Sequence, residues 1–152
     1  MTVRTRTPDV ATGRRFFLVS CVKTKLSEPA AAQDLYVSDW FRKARAYVER
    51  DGGSWRILSA KYGLVHPDDV IRPYEKTLKT MRVAERRVWA RDVLKALEPC
   101  LANADTVVFF AGERYREFLE PSLRDRGIRL DVPMRGLSQG RQLAWLRARL
   151  DG

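Results

Sequence analysis

Asp105-Thr106-Val107-Val108-Phe109-Phe110-Ala111-Gly112-Glu113-Arg114-Tyr115-Arg116-Glu117-Phe118-Leu119 is the stretch whose reading decides the fold. Its first half is an unbroken apolar run rich in β-branched and aromatic residues, the pattern of a strand covered on both faces. Gly112 lets the chain turn at once, and Tyr115, Phe118 and Leu119 then form the apolar face of a helix. A strand that passes through one glycine into a helix is half of a βαβ unit, so the expectation is an α/β fold.

The same pattern recurs on either side. Arg15–Ser20 is a second continuous apolar run and the first strand of the chain. Ser38 is a helix N-cap, with Asp39 in the first turn and Phe41, Ala44 and Val48 as the apolar stripe, and that helix should stop near Asp51-Gly52-Gly53. Arg56–Ser59 is a short strand. From about Thr80 to Ala102 a long helix is expected to turn Met81, Val88, Val93 and Leu97 inward, with Arg82, Arg86, Arg87, Arg91 and Lys95 pointing elsewhere. Ile128 to Val132 makes a fourth strand ended by Pro133, and Leu143, Leu146 and Leu150 lie at core spacing in a last helix. Four strands, each followed by a helix, predict a three-layer α/β/α arrangement around a mainly parallel four-stranded sheet with right-handed crossovers. Residues 1–14 read as a flexible basic arm and 15–152 as a single domain.

The 152 residues are 45% hydrophobic, enough for one core, and carry 29 Lys plus Arg against 19 Asp plus Glu, a formal charge of +10. That excess predicts a polyanionic partner, nucleic acid first and DNA ahead of RNA. No apolar run is long enough to span a bilayer and no signal-peptide core precedes the first strand, so a cytoplasmic protein without membrane attachment is expected. Cys21 and Cys100 stand alone, without a CxxC or a Cys/His cluster, so neither a disulfide framework nor a metal site is expected, and no cofactor. The sequence leaves the oligomeric state open.

Function concentrates in Trp55–Leu78, WRILSAKYGLVHPDDVIRPYEKTL, which runs from a buried strand into a loop crowded with reactive groups. Pro67 and Pro73 argue against regular helix or ladder between them, and Gly63 offers a turn. The segment holds Lys61, Tyr62, His66, Asp68, Asp69, Arg72, Tyr74, Glu75, Lys76 and Thr77, a density that structure alone does not require. His66 reads as a solvated loop residue, with a catalytic base as its alternative role. In open α/β sheets ligands lie beyond the carboxyl ends of the strands. The polar clusters Ser20 to Lys25, Ser59 to Thr77, Gly112-Glu113 and Pro133 to Gly140 all fall there, which predicts one cleft bordered by Ser20, Lys61, Gly112 and Gln139. GxGxxG, GxxxxGK[ST] and HExxH are missing, so dinucleotide, P-loop and zincin sites lack their fingerprints.

The segments SCVKTK, DLYVSDWFRKA, LSAKYGLVHPDDVIRPYEKTL and PMRGLSQGRQLAWL resemble a bacterial and phage family of small domains of unknown function, over roughly residues 16 to 150. The SAKYGL…PYE segment also resembles the SxxYGLLxPxDxIxPYR stretch of the YaaA peroxide-stress family of DNA-binding proteins, through Tyr62, Gly63, Leu64, Pro67, Asp69, Ile71, Pro73 and Tyr74. The layout is similar to the uracil-DNA glycosylase superfamily and the related archaeosine synthase domain, although SCVKTK stands where the glycosylases carry GQDPYH. These resemblances imply a nucleic-acid-acting protein, in DNA repair or phage defence, that cleaves the N-glycosidic bond of a modified base as a hydrolase. The alternatives are a non-enzymatic DNA- or RNA-binding module and a small-molecule enzyme acting on nucleotides or nucleosides.

Base excision needs a ring to stack on a flipped base, donors for its edges, cations for phosphates, and a carboxylate near the sugar. Tyr62 or Tyr74 can stack, while Ser59, Lys61 or Gln139 can bond base edges, and Lys23, Lys25 and Arg135 can hold phosphates. Asp69 or Glu75 supplies the carboxylate. Ser20, Cys21, Gly63, Lys76, Gly112 and Tyr115 complete the expected substrate site, and Arg82, Arg86, Arg87 and Arg91 join Arg135 as contacts to the nucleic-acid backbone.

Overall fold

A computed structural model describes residues 14–151. The expected arm, residues 1–14, lies outside the described residues except for Arg14, whose backbone and guanidinium bond Asp105 and Asn103.

The chain runs β1 (Arg15–Ser20), β2 (Ala30–Ala31), α1 (Ala32–Leu35), α2 (Asp39–Asp51), β3 (Ser54–Ser59), β4 (Gly63–Val65), β5 (Val70–Ile71), α3 (Val83–Leu97), β6 (Thr106–Phe110), α4 (Glu113–Arg116), α5 (Glu120–Asp125), β7 (Arg129–Asp131) and α6 (Gln139–Asp151). Short 3-10 turns, Leu78–Thr80 and Glu98–Leu101, flank α3. Five strands, not four, form the main sheet in the order β4-β3-β1-β6-β7; β1, β3, β6 and β7 are parallel and β4 is antiparallel.

β4 corrects the expectation that a helix follows every strand. Three residues separate β3 from Gly63, whose φ of 75° is open to glycine at little cost, and from there the chain pairs back on β3. A second correction lies between Pro67 and Pro73. Val70–Ile71 form a ladder there with Ala30–Ala31, because two residues clear of either proline suffice for a short antiparallel bridge.

β1 is buried from Phe16 onward, as its apolar run requires. Ser38 caps α2 by accepting from the Phe41 N–H at 3.0 Å, and Gly52 ends that helix. Gly53, next in line, sits so close to Phe17 that an added Cβ would come within 2.8 Å of its ring. On α3, Val93 and Leu97 are buried as expected and Met81, just before it, packs on the core, but Val88 is 45% exposed while Trp89, Ala90 and Arg86 turn inward. The helix meets the sheet one residue out of the expected phase, since the Trp89 indole is drawn to the Ser59 carbonyl at 2.9 Å. Of the helix expected over Glu113–Leu119 only α4 forms, residues 117–119 making a turn, and α5 follows with Pro121 in its first turn. No helix among the described residues is long and apolar enough to cross a membrane.

The order of the strands positions the site. From β1 the chain moves to one side to build β3 and β4, then returns past β1 to build β6 and β7 on the other side. Connections that leave β1 in opposite directions open a crevice between the carboxyl ends of β1 and β6.

Candidate functional site

A cleft of about 1370 Å³ opens at that reversal, lined by the segments that leave β1 (Ser20 to Ser27, less Thr24), β6 (Ala111 to Arg116) and β7 (Val132 to Gln142, in part), and by Pro73 to Lys79. Each borders the cleft for a local reason. Ser20 and Cys21 end β1, with the Cys21 N–H still bonded to the Leu58 carbonyl of β3. Gly112 precedes α4, so the chain leaves β6 at the cleft edge. Arg135, Gly136 and Leu137 line the cleft ahead of α6, where the Ser138 hydroxyl accepts from the Arg141 N–H.

Behind the cleft runs a line of hydroxyls, of which that of Tyr74 belongs to a lining residue. Ser59 Oγ donates to Tyr74 Oη at 2.8 Å, and Tyr74 Oη shares a 2.6 Å hydrogen bond with Tyr36 Oη. Ser59 is fully buried, its Oγ also accepting from the Tyr62 N–H. Tyr115 Oη lies 3.4 Å from Cys21 Sγ, and its ring stands edge-on to Trp89. Burial pushes the Tyr36, Tyr74 and Tyr115 phenols well above their ordinary range, so all three stay protonated.

Charge lines the walls. Lys23, Lys25, Lys76, Lys79, Arg114, Arg116 and Arg135 face Glu75 and Glu113, seven cations to two carboxylates, which suits an anionic ligand. Arg116 is spent internally, donating to the Ala111 carbonyl and pairing with Glu120 at 2.7 Å. Lys25 is the most constrained cation. Its ammonium sits 4.5 Å over the Tyr74 ring and donates to the Lys23 carbonyl. Burial lowers its pKa from the usual lysine value, against the opposing pull of Cys21 and Glu75.

The structure brings together Ser20, Cys21, Lys23, Lys25, Tyr74, Glu75, Lys76, Gly112, Tyr115, Arg135 and Gln139 from the expected set. Ser59 stands behind the lining as the hydrogen-bond hub of Tyr74. Lys61, Tyr62 and Gly63 are not in the lining, because β4 turns the chain back at the end of β3. The single rim of Ser20, Lys61, Gly112 and Gln139 therefore loses Lys61. Neither tyrosine proposed for stacking is well placed for it: Tyr74 is 8% exposed with the Lys25 ammonium over one face, and Tyr62 lies outside the lining with Lys61 over its ring.

Asp69 also lies outside. Its carboxylate accepts from the His66 N–H at 3.0 Å, its N–H bonds the His66 carbonyl, and the His66 ring accepts from the Asp68 N–H, so His66-Pro67-Asp68-Asp69 closes on itself. Of the α3 arginines, Arg82 precedes the helix and Arg87 and Arg91 are exposed. Arg86 is 7% exposed, pairing with Glu117 at 2.9 Å and donating to the Met81 carbonyl.

The sequence reading missed Tyr36, Trp40, Lys79, Arg114, Met134 and Gln142. Arg114 carried a usable signal, being two residues past a strand-ending glycine; Gln142 did not, since its role is to accept from the Trp40 indole at 2.9 Å across 102 residues of chain.

The family described as "Family of unknown function (DUF6884)" matches residues 16–148. The uncharacterized protein YfjM of Bacillus subtilis (strain 168) is 27% identical over 115 residues, covering 70% of this chain and 75% of that protein. No solved structure matches.

Proposed function

The chain belongs to the DUF6884 family of unknown function, and we propose that it acts on nucleic acid, seating one nucleotide in the β1–β6 cleft and cleaving the N-glycosidic bond of a modified base. The observation that carries this reading is the crowding of cations around Glu75 at the point where the strand order reverses. Lys23, Lys76, Lys79, Arg114 and Arg135 hold the phosphates, and Gln139, exposed at the start of α6, reads a base edge. Glu75, rather than Asp69, is the carboxylate that supports positive charge at the sugar as the base leaves, since it lines the cleft and makes no ion pair among the described residues. The likeness of the SAKYGL…PYE segment to YaaA DNA-binding proteins and of the layout to uracil-DNA glycosylases supports the same direction.

DNA carrying varied modified bases, incubated with the protein and then treated with alkali, tests the reaction through strand breaks at abasic sites, while RNA, which alkali cuts at every 2′-hydroxyl, is read by chromatography of the released base. Glu75→Gln keeps size and polarity, so binding by fluorescence anisotropy should persist while base release drops by about 10² or more. Unchanged release by Glu75→Gln would remove that residue from the chemistry. A second reading, binding without catalysis, is favoured by the Lys25 ammonium that occupies the Tyr74 face where a flipped base would stack. Tight binding with no base released from any substrate would establish it.

A further inference from the structure

Away from the cleft, α3 and the segment around α5 enclose a second groove of about 560 Å³ lined by Arg87, Arg91, Lys95 and Arg126, with Glu98 as its one carboxylate. We infer that this groove carries the phosphate backbone of a nucleic-acid strand whose nucleotide occupies the cleft, so that the substrate is a polymer and not a free nucleotide. The inference rests on the cleft reading above and adds the path that the strand takes outside the cleft.

Glu98 is engaged by Arg126 at 3.0 Å, and no ion pair engages Arg87, Arg91 or Lys95 among the described residues. Arg87 is held instead over the Phe118 ring, 4.3 Å from its centre, which fixes the guanidinium plane without neutralising it. Arg87, Arg91 and Lys95 follow one another at four-residue intervals, so they form one row spanning about 12 Å of helix. At about 3.4 Å of axis per phosphate in a helical strand, that row meets about three phosphates. A row of exposed like charges destabilises an isolated helix, so this one calls for a polyanion more than for a solvated surface.

The groove joins the cleft along two paths. Arg114 lines the cleft from α4, and Phe118 lines the groove from the turn that joins α4 to α5, four residues on. Lys79 lines the cleft and is followed by α3 itself, which the buried Arg86–Glu117 pair locks to that same segment. A strand seated in the cleft thus passes from Lys79 and Arg114 toward Arg87 along segments that are tied to one another.

The test compares the wild type with Arg91→Gln/Lys95→Gln, both exposed helical positions where glutamine keeps the helix. Fluorescence anisotropy is read with a labelled trinucleotide, which fills only the cleft, and with a long single-stranded oligonucleotide. The variant should bind the trinucleotide as the wild type does, while its slope of log K against log salt for the long strand becomes shallower by about 1.5, two phosphates at about 0.7 each. An unchanged slope, or a wild type that binds the long strand no more tightly than the trinucleotide, overturns the groove and leaves the cleft reading standing. A wild type that binds neither ligand overturns both.

Discussion

Tyr74→Phe removes one oxygen from the line of hydroxyls behind the cleft and keeps the ring, with its edge-on contacts to Tyr36 and Tyr62. The hydroxyl stands between two others, accepting from Ser59 and bonded to Tyr36. Without it Tyr36, 1% exposed, loses its hydrogen-bond partner, and Ser59 retains the Tyr62 N–H but has no acceptor for its own proton. Each buried group left unsatisfied costs about 1–3 kcal/mol, offset in part because the lost phenol itself no longer needs desolvating, so the net cost is about 2 kcal/mol. Tyr36→Phe costs less, about 1 kcal/mol, because Tyr74 still accepts from Ser59. In the double variant only the Ser59 proton is left without a partner, at a cost of about 1 kcal/mol, so the two effects should fall short of additivity by about 2 kcal/mol. Urea unfolding followed by tryptophan fluorescence reads all three, the single Tyr74 change lowering the midpoint by about 1 M with the slope unchanged. A cost for Tyr74→Phe below about 0.5 kcal/mol, or strict additivity of the pair, would refute the chained hydroxyls.

Arg86→Met should destabilise by about 3 kcal/mol in the same assay, because it leaves Glu117 with only the distant, exposed Arg114; Arg86→Met/Glu117→Gln should recover part of the loss, and a double variant worse than the single would show that the pair's charge is not the source. Alkaline pH should unfold the protein from about pH 10 upward, since unfolded phenols ionise there while burial holds those of Tyr36, Tyr74 and Tyr115 protonated. In that window the unfolded chain binds fewer protons, so stability is full below pH 10 and falls as pH rises. Lys25 acts in the opposite sense, its lowered native value leaving the unfolded chain with more protons, but it is one group against three. Melting temperature between pH 8 and pH 11 checks the sign, and a flat profile through about pH 10 would contradict it.

How far the site could be read in advance differs from residue to residue. Ser20, Cys21, Lys23, Lys25, Gly112, Arg135 and Gln139 were recognisable because each follows the end of a parallel strand or precedes a helix, and that position alone sends it to the cleft. Asp69 and Tyr62 belong to the same polar loop as Glu75 and Tyr74, yet only the latter two reach the cleft. Polarity in a loop gives density of function, whereas direction depends on which neighbour absorbs each group; the His66–Asp69 turn absorbs one and the β4 hairpin carries the other away. The basic character of α3 was likewise readable, but not that Arg86 would be consumed by Glu117, a residue 31 positions further on.

The amino-acid sequence by itself determined the four principal strands, the α2 cap at Ser38, the positive surface and the mainly parallel α/β class, because these follow from apolar period, capping chemistry and composition within windows of a few residues. Only the tertiary structure decided the strand order, the reversal between β1 and β6 that opens the cleft, and the meeting of Tyr36, Ser59 and Tyr74. Those depend on pairings between segments tens of residues apart, and the free energy that selects them comes from burying whole faces together, a quantity that no local window contains.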